Sequence, residues 1–85
     1  MDNRLKKLQF RAWRRGFREI DLILGQFADR RLIEMDAAGL DAFERLLDAP
    51  DQLVYAWITA QEHPPAEYDT ATLAQLRAFC SQIVS

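Results

Sequence analysis

At 85 residues, 49% apolar and 28% charged, the chain has enough material for a single domain spanning 1–85 with a modest core, but not for a core plus a large ligand cavity. Its one cysteine, Cys80, excludes an intrachain disulfide, and the longest apolar run (53–60, interrupted by Thr59) is far short of the roughly 20 residues that span a bilayer. The net charge of −2 hides a division: residues 1–18 carry seven basic side chains against one acid, Asp2, while 19–85 carry four against twelve.

Helical periodicity runs through the chain in order. Leu5, Leu8, Ala12 and Trp13 recur at helical spacing, which predicts a first amphipathic helix over about 3–14. Gly16 follows, suited to end that helix with φ > 0. Ile20, Ile23, Leu24, Phe27 and Ala28 predict a second helix, with Glu19 and Asp21 in its first turn, where the helix dipole favours anions. Asp36 is the expected N-cap of a third helix that turns Leu40, Phe43, Leu46 and Leu47 inward. Pro50 starts a fourth with Leu53, Val54, Trp57 and Ile58 as its apolar set, and His63-Pro64-Pro65 breaks it. Asp69 or Thr70 caps a fifth with Leu73, Leu76, Phe79, Cys80 and Ile83 facing in. No strand pattern or repeat interrupts this sequence of elements, so the expected fold is all-α, a compact five-helix bundle.

Groups for catalysis are scarce. There is one His, and the two Ser residues, Ser81 and Ser85, both lie at the carboxy terminus. A nucleophile–base dyad would have to use His63 from a proline-flanked loop, with no third group to orient it. No three or four ligands stand at zinc spacing, and the isolated glycines form no phosphate cradle. Neither catalytic, metal nor cofactor-binding residues are therefore expected. Cys80 reads as a small buried hydrophobe. Trp13 and Trp57 suit core positions, although Trp57, just before the proline-rich loop, equally suits a partly exposed interface anchor. The basic first helix could bind phosphates, but the acidic remainder would repel a polyanion. Protein docking is the better reading, by a monomer whose helices each have one apolar face. The amino-terminal residues are charged and lack a signal peptide's apolar stretch, so a cytoplasmic location without membrane insertion is expected.

The segment Arg14-Arg15-Gly16-Phe17-Arg18-Glu19 narrows the choice. It resembles the RGxxE signature of the succinate dehydrogenase assembly factors that promote covalent flavinylation. The runs FRAWRRGFREIDLILGQFAD, FERLLDAPDQLVYAWI and PPAEYDTATLAQLRAF are similar to that family in order and spacing, so the resemblance covers nearly the whole chain. It implies a non-enzymatic helical bundle that binds the flavoprotein subunit of succinate dehydrogenase, with fumarate reductase as a second candidate client. It also implies that the FAD acted upon is the client's. The family's surface centres on RGxxE, which falls on Arg15, Gly16 and Glu19; Arg11, Lys7 and Trp57 join it by resemblance. Lys7 stands where many relatives carry Arg, which keeps the charge but loses the planar fork. A regulatory or antitoxin-like interaction module is the alternative. In any helical hairpin, Gly16 as a terminator with Arg15 and Glu19 as dipole partners would also be sensible.

Overall fold

In the computed structural model residues 3–84 are described; Met1, Asp2 and Ser85 lie outside them. Five α-helices follow one another: α1 (Asn3–Ala12), α2 (Arg18–Arg31), α3 (Ala37–Asp48), α4 (Asp51–Ile58) and α5 (Ala71–Val84). Two 3₁₀ turns, Leu32–Glu34 and Ala66–Tyr68, were not evident from periodicity, because three residues are too few to show a period. No strand occurs among the described residues.

The starts of the helices follow the sequence signals. Asp36 caps α3 by accepting a hydrogen bond from the Gly39 N–H at 2.9 Å. Pro50, at φ −59°, sets up the first turn of α4. Of the two candidate caps for α5, Thr70 is the one used: its hydroxyl accepts from the Leu73 N–H at 3.2 Å.

The ends differ more from expectation. α1 stops at Ala12, two residues early, in a tightened turn in which the Trp13 and Arg14 N–H groups donate to Phe10 and Arg11 carbonyls. α4 stops at Ile58, before the prolines are reached. Its end is a Schellman closure in which Gln61 and Ala60 N–H groups donate to Ala56 and Trp57 carbonyls. Arg77 adds a hydrogen bond from Nε to the Trp57 carbonyl at 2.8 Å. The left-handed position of this closure is held by Ala60, at φ 63°, where glycine is the usual occupant. Ala60→Gly is therefore expected to stabilise the fold by roughly 0.5–1 kcal/mol, because relief of the Cβ clash exceeds the entropy gained by the unfolded chain. A rise in the urea midpoint at constant m-value would verify it.

The core is one contiguous set of side chains from all five helices. Phe27 is at its centre, stacked on Phe43 at 5.7 Å and meeting Phe79 edge-on at 5.5 Å. The inward sets expected of α2, α3 and α5 are buried, with Ile83 partly so. Leu53 is a correction: it lies on the outer side of α4 and is 41% exposed, while Ala56 takes an inward position. No helix among the described residues is long and apolar enough to cross a membrane.

The two tryptophans, both suited to core positions, differ in burial. Trp13, expected in the core, is 37% exposed. Its indole lies flat across Gly25 of α2, where an added Cβ would run into the ring, and its Nε1 donates to Asp29 at 3.1 Å. Trp57 is the buried one, at 4% exposure, stacked under Tyr68 at 4.8 Å. Tyr68 comes from the unforeseen 3₁₀ turn after the prolines, which folds back over α4 and covers the indole.

Candidate functional site

The RGxxE segment forms the corner between α1 and α2, and its conformation is imposed by an aspartate more than 30 residues away. Asp51, the first residue of α4, divides its carboxylate between two neighbours. Oδ1 accepts from Arg15 Nε at 2.7 Å and lies 2.6 Å from Arg15 Nη2. Oδ2 accepts the Gly16 N–H at 2.5 Å. Arg15 also reaches the Ala49 carbonyl with Nη2, and its own N–H donates to Asp21 Oδ1 at 2.6 Å. The Arg15 side chain is left only 11% exposed and that of Asp51 23%. Charge-assisted hydrogen bonds of this kind are about twice as strong as neutral ones, and a partly buried pair is little screened. One residue on, Phe17 precedes α2 in extended conformation and sets its ring edge-on against Tyr55 of α4 at 5.2 Å.

This geometry corrects the reading of Gly16. No glycine among the described residues has positive φ, so Gly16 is not a left-handed helix terminator. Its constraint is space: a Cβ would stand 2.7 Å from Asp51 Oδ2, the atom that binds its N–H. Gly16→Ala is expected to cost roughly 1 kcal/mol by pushing the carboxylate aside. Gly16→Asn should not rescue it, because asparagine relieves a backbone preference and not a collision. In an Asp51→Ala background the same Gly16→Ala change should be nearly neutral, and a double-mutant cycle in urea is the measurement.

The basic face of α1 is also partly spent within the molecule. α1 and α3 run parallel, with ion pairs at a constant separation of 37 residues: Arg4 with Asp41 at 2.5 Å, and Arg11 with Asp48 at 2.6 Å. Arg4 also binds Glu44 at 3.0 Å. The Asp41 and Glu44 carboxylates raise the pKa of Arg4, keeping it charged. Arg11, expected at the docking face, is thus tied sideways to α3 while 37% of its side chain stays exposed. Arg14 lies over the Phe10 ring at 4.2 Å, and Phe10 is itself 60% exposed. Lys7, Arg18 and Glu19 are exposed, and none has a side-chain partner among the described residues.

Of the six residues expected at the site, Arg15, Gly16 and Glu19 share the corner, and Lys7 and Arg11 lie on the helix leading into it. Trp57 is not with them. It sits six residues along α4 from Asp51, about 9 Å by helical rise, under Tyr68, and presents almost no surface to a partner. Asp51 was missed because an aspartate after a proline at a helix start reads as a dipole partner. The signal that was present is register: arginines at 4 and 11 match acids at 41 and 48 in spacing, and Arg15 and Asp51 fall within one residue of the same separation. Among the described residues no three His, Cys, Asp or Glu side chains could jointly hold a metal ion.

Comparison with known proteins bears on this corner directly. The family described as "flavinator of succinate dehydrogenase" matches residues 6–80, which include all of α2, α3 and α4 together with the corner. The chain belongs to that family. A relative named "FAD assembly factor SdhE" from Legionella pneumophila is 37% identical over 67 residues, covering 79% of this chain and 85% of that protein. Proteins named "Succinate dehydrogenase assembly factor 2, mitochondrial" match as well. That of Dictyostelium discoideum is 32% identical over 75 residues, 88% of this chain and 53% of that protein. That of Mycosarcoma maydis is 36% identical over 67 residues, 79% of this chain and 28% of that protein. The chain thus spans between about a quarter and a half of the length of these mitochondrial relatives.

Proposed function

We propose that the chain is a non-catalytic assembly factor that binds the flavoprotein subunit of succinate dehydrogenase and promotes covalent attachment of FAD to it. Membership of the flavinator family across the latched corner carries this reading. Fumarate reductase is the second candidate client. The docking set is Glu19, Lys7 and the exposed edges of Arg11, Arg15 and Gly16. Arg15 and Gly16 are held by Asp51, so they contribute a rigid platform more than a free cation. Trp57 supports the set from within the core.

A non-catalytic role is supported by the placement of the reactive side chains. His63 is exposed in the loop after α4. Cys80 is buried, and desolvation pushes its thiol pKa up, away from the nucleophilic thiolate. The client's own residues would then form the bond between FAD and protein, while the factor selects a client conformer in which acceptor and flavin meet. Such positioning is worth up to about 7–11 kcal/mol in ideal cases, limited by the factor's preference for that conformer. The FAD acted upon is the client's and none is tightly bound by the factor, which acts as a cytoplasmic monomer and a single unit. Because Arg4, Arg11 and Arg15 already face carboxylates, the amino-terminal segment offers a polyanion less charge than its composition suggests, and nucleic acid is not a partner. The test is a clean deletion followed by in-gel flavin fluorescence of the client. Covalent flavin should fall several-fold and return with the wild-type gene; an unchanged yield overturns the proposal.

A further inference from the structure

A groove of about 350 Å³ opens beside the latched corner, and each of three helices contributes a stripe to it. α2 supplies Glu19, Leu22, Ile23 and Gln26, one helical face, and Tyr55 of α4 and Thr59 just after it form a second wall. Cys80 and Ile83 of α5 complete the lining. The cause is in the packing: α5 lies against both α2 and α4, while α2 and α4 pack less closely on each other and leave a cleft above it. The Phe17–Tyr55 contact ties the start of α2 to α4 at the Tyr55 wall, next to the Asp51 latch. The walls are predominantly apolar, and Leu22 stands 37% exposed at the rim. Glu19 lines the same groove, exposed and without a side-chain partner among the described residues.

An apolar cleft beside an unneutralised carboxylate selects a particular chemistry. We propose that this groove receives one apolar side chain of the flavoprotein client, with an adjacent lysine or arginine of the same client segment pairing with Glu19. The inference rests on the proposed function and names the recognition element behind it. The volume, at the low end of ligand cavities, leaves ample room for a leucine, methionine or phenylalanine side chain. Charge decides the neighbour. An acidic client residue there would face Glu19 directly, whereas a basic one forms a charge-assisted pair at the groove's edge. The latch has a purpose in this arrangement: Asp51, by holding Gly16 and Arg15, keeps the start of α2, and with it Glu19, at a set distance from Tyr55.

The experiment measures the affinity of the full chain for the purified apo-flavoprotein subunit, with a thermal melt of each variant. Gln26→Trp fills the groove from a half-buried position and leaves the corner untouched. It should weaken binding about tenfold or more at an unchanged melting temperature, since burial of one apolar side chain is lost. Leu22→Ser, at the rim, is the second probe should the first variant melt early, and should weaken binding several-fold. Glu19→Lys should abolish most binding, and a client variant in which the paired cation is changed to glutamate should recover it. If Gln26→Trp and Leu22→Ser both fold and bind within twofold of the wild type, the groove is not the recognition site, although the assembly role stands. Should the wild-type chain fail to bind the client at all, both readings fall.

Discussion

Asp51→Ala is expected to destabilise the protein by about 2–3 kcal/mol and to lower client flavinylation even at temperatures where the variant is folded. Three interactions go at once: two contacts with the Arg15 guanidinium and the bond from the Gly16 N–H. Hydrogen bonds to charged groups contribute about 1.5–3 kcal/mol each, but they are not additive here, and water can reach Asp51, so the total is well below their sum. The larger share of the cost is Arg15, left mostly buried without its counter-charge. Arg15→Ala in the Asp51→Ala background should therefore cost less than in the wild type, and urea denaturation of the four proteins measures the coupling. Asp51→Asn keeps an acceptor for one neighbour and should lie between. Additive costs, or full flavinylation by a folded Asp51→Ala protein, would remove the latch from the mechanism.

Phe27→Ala should have the largest effect on folding of any single truncation. The ring is 1% exposed and joins α2 to both α3 and α5 through Phe43 and Phe79. Large-to-small changes at such positions cost about 3–5 kcal/mol. The whole stability of a chain this long is on the order of 4–13 kcal/mol. The melting temperature should fall by on the order of 20 °C, and the variant should fail in flavinylation assays at growth temperature through loss of fold alone. Phe10→Ala is the internal control. Phe10 is 60% exposed and touches Arg14, so its removal should move stability by less than about 0.5 kcal/mol. Any loss of client binding in that variant would then report on docking.

How much of this was legible beforehand depends on the range of the interactions. The five helices, the inward faces of α2, α3 and α5, the Asp36 cap and the start of α4 at Pro50 were local matters. Each is set by the periodicity of a dozen neighbouring residues or by one side chain reaching a backbone N–H three positions away. The family was legible too, because its motif and flanking runs are contiguous in the chain.

Tertiary structure alone decided the rest. Trp13 and Trp57 both stand at helical spacing from apolar neighbours, yet a glycine on α2 gives one a shallow seat and Tyr68 covers the other. Burial of a side chain at the end of a helix depends on what arrives from elsewhere. The same holds for Gly16, whose need for a missing side chain comes from a carboxylate 35 residues on and not from its own φ. Composition placed seven positive charges near the amino terminus, and only the parallel packing of α1 on α3 determined that Arg4 and Arg11 are paired while Lys7 is not. Local spacing specifies which face of a helix is apolar; long-range register specifies which charged groups remain for a partner.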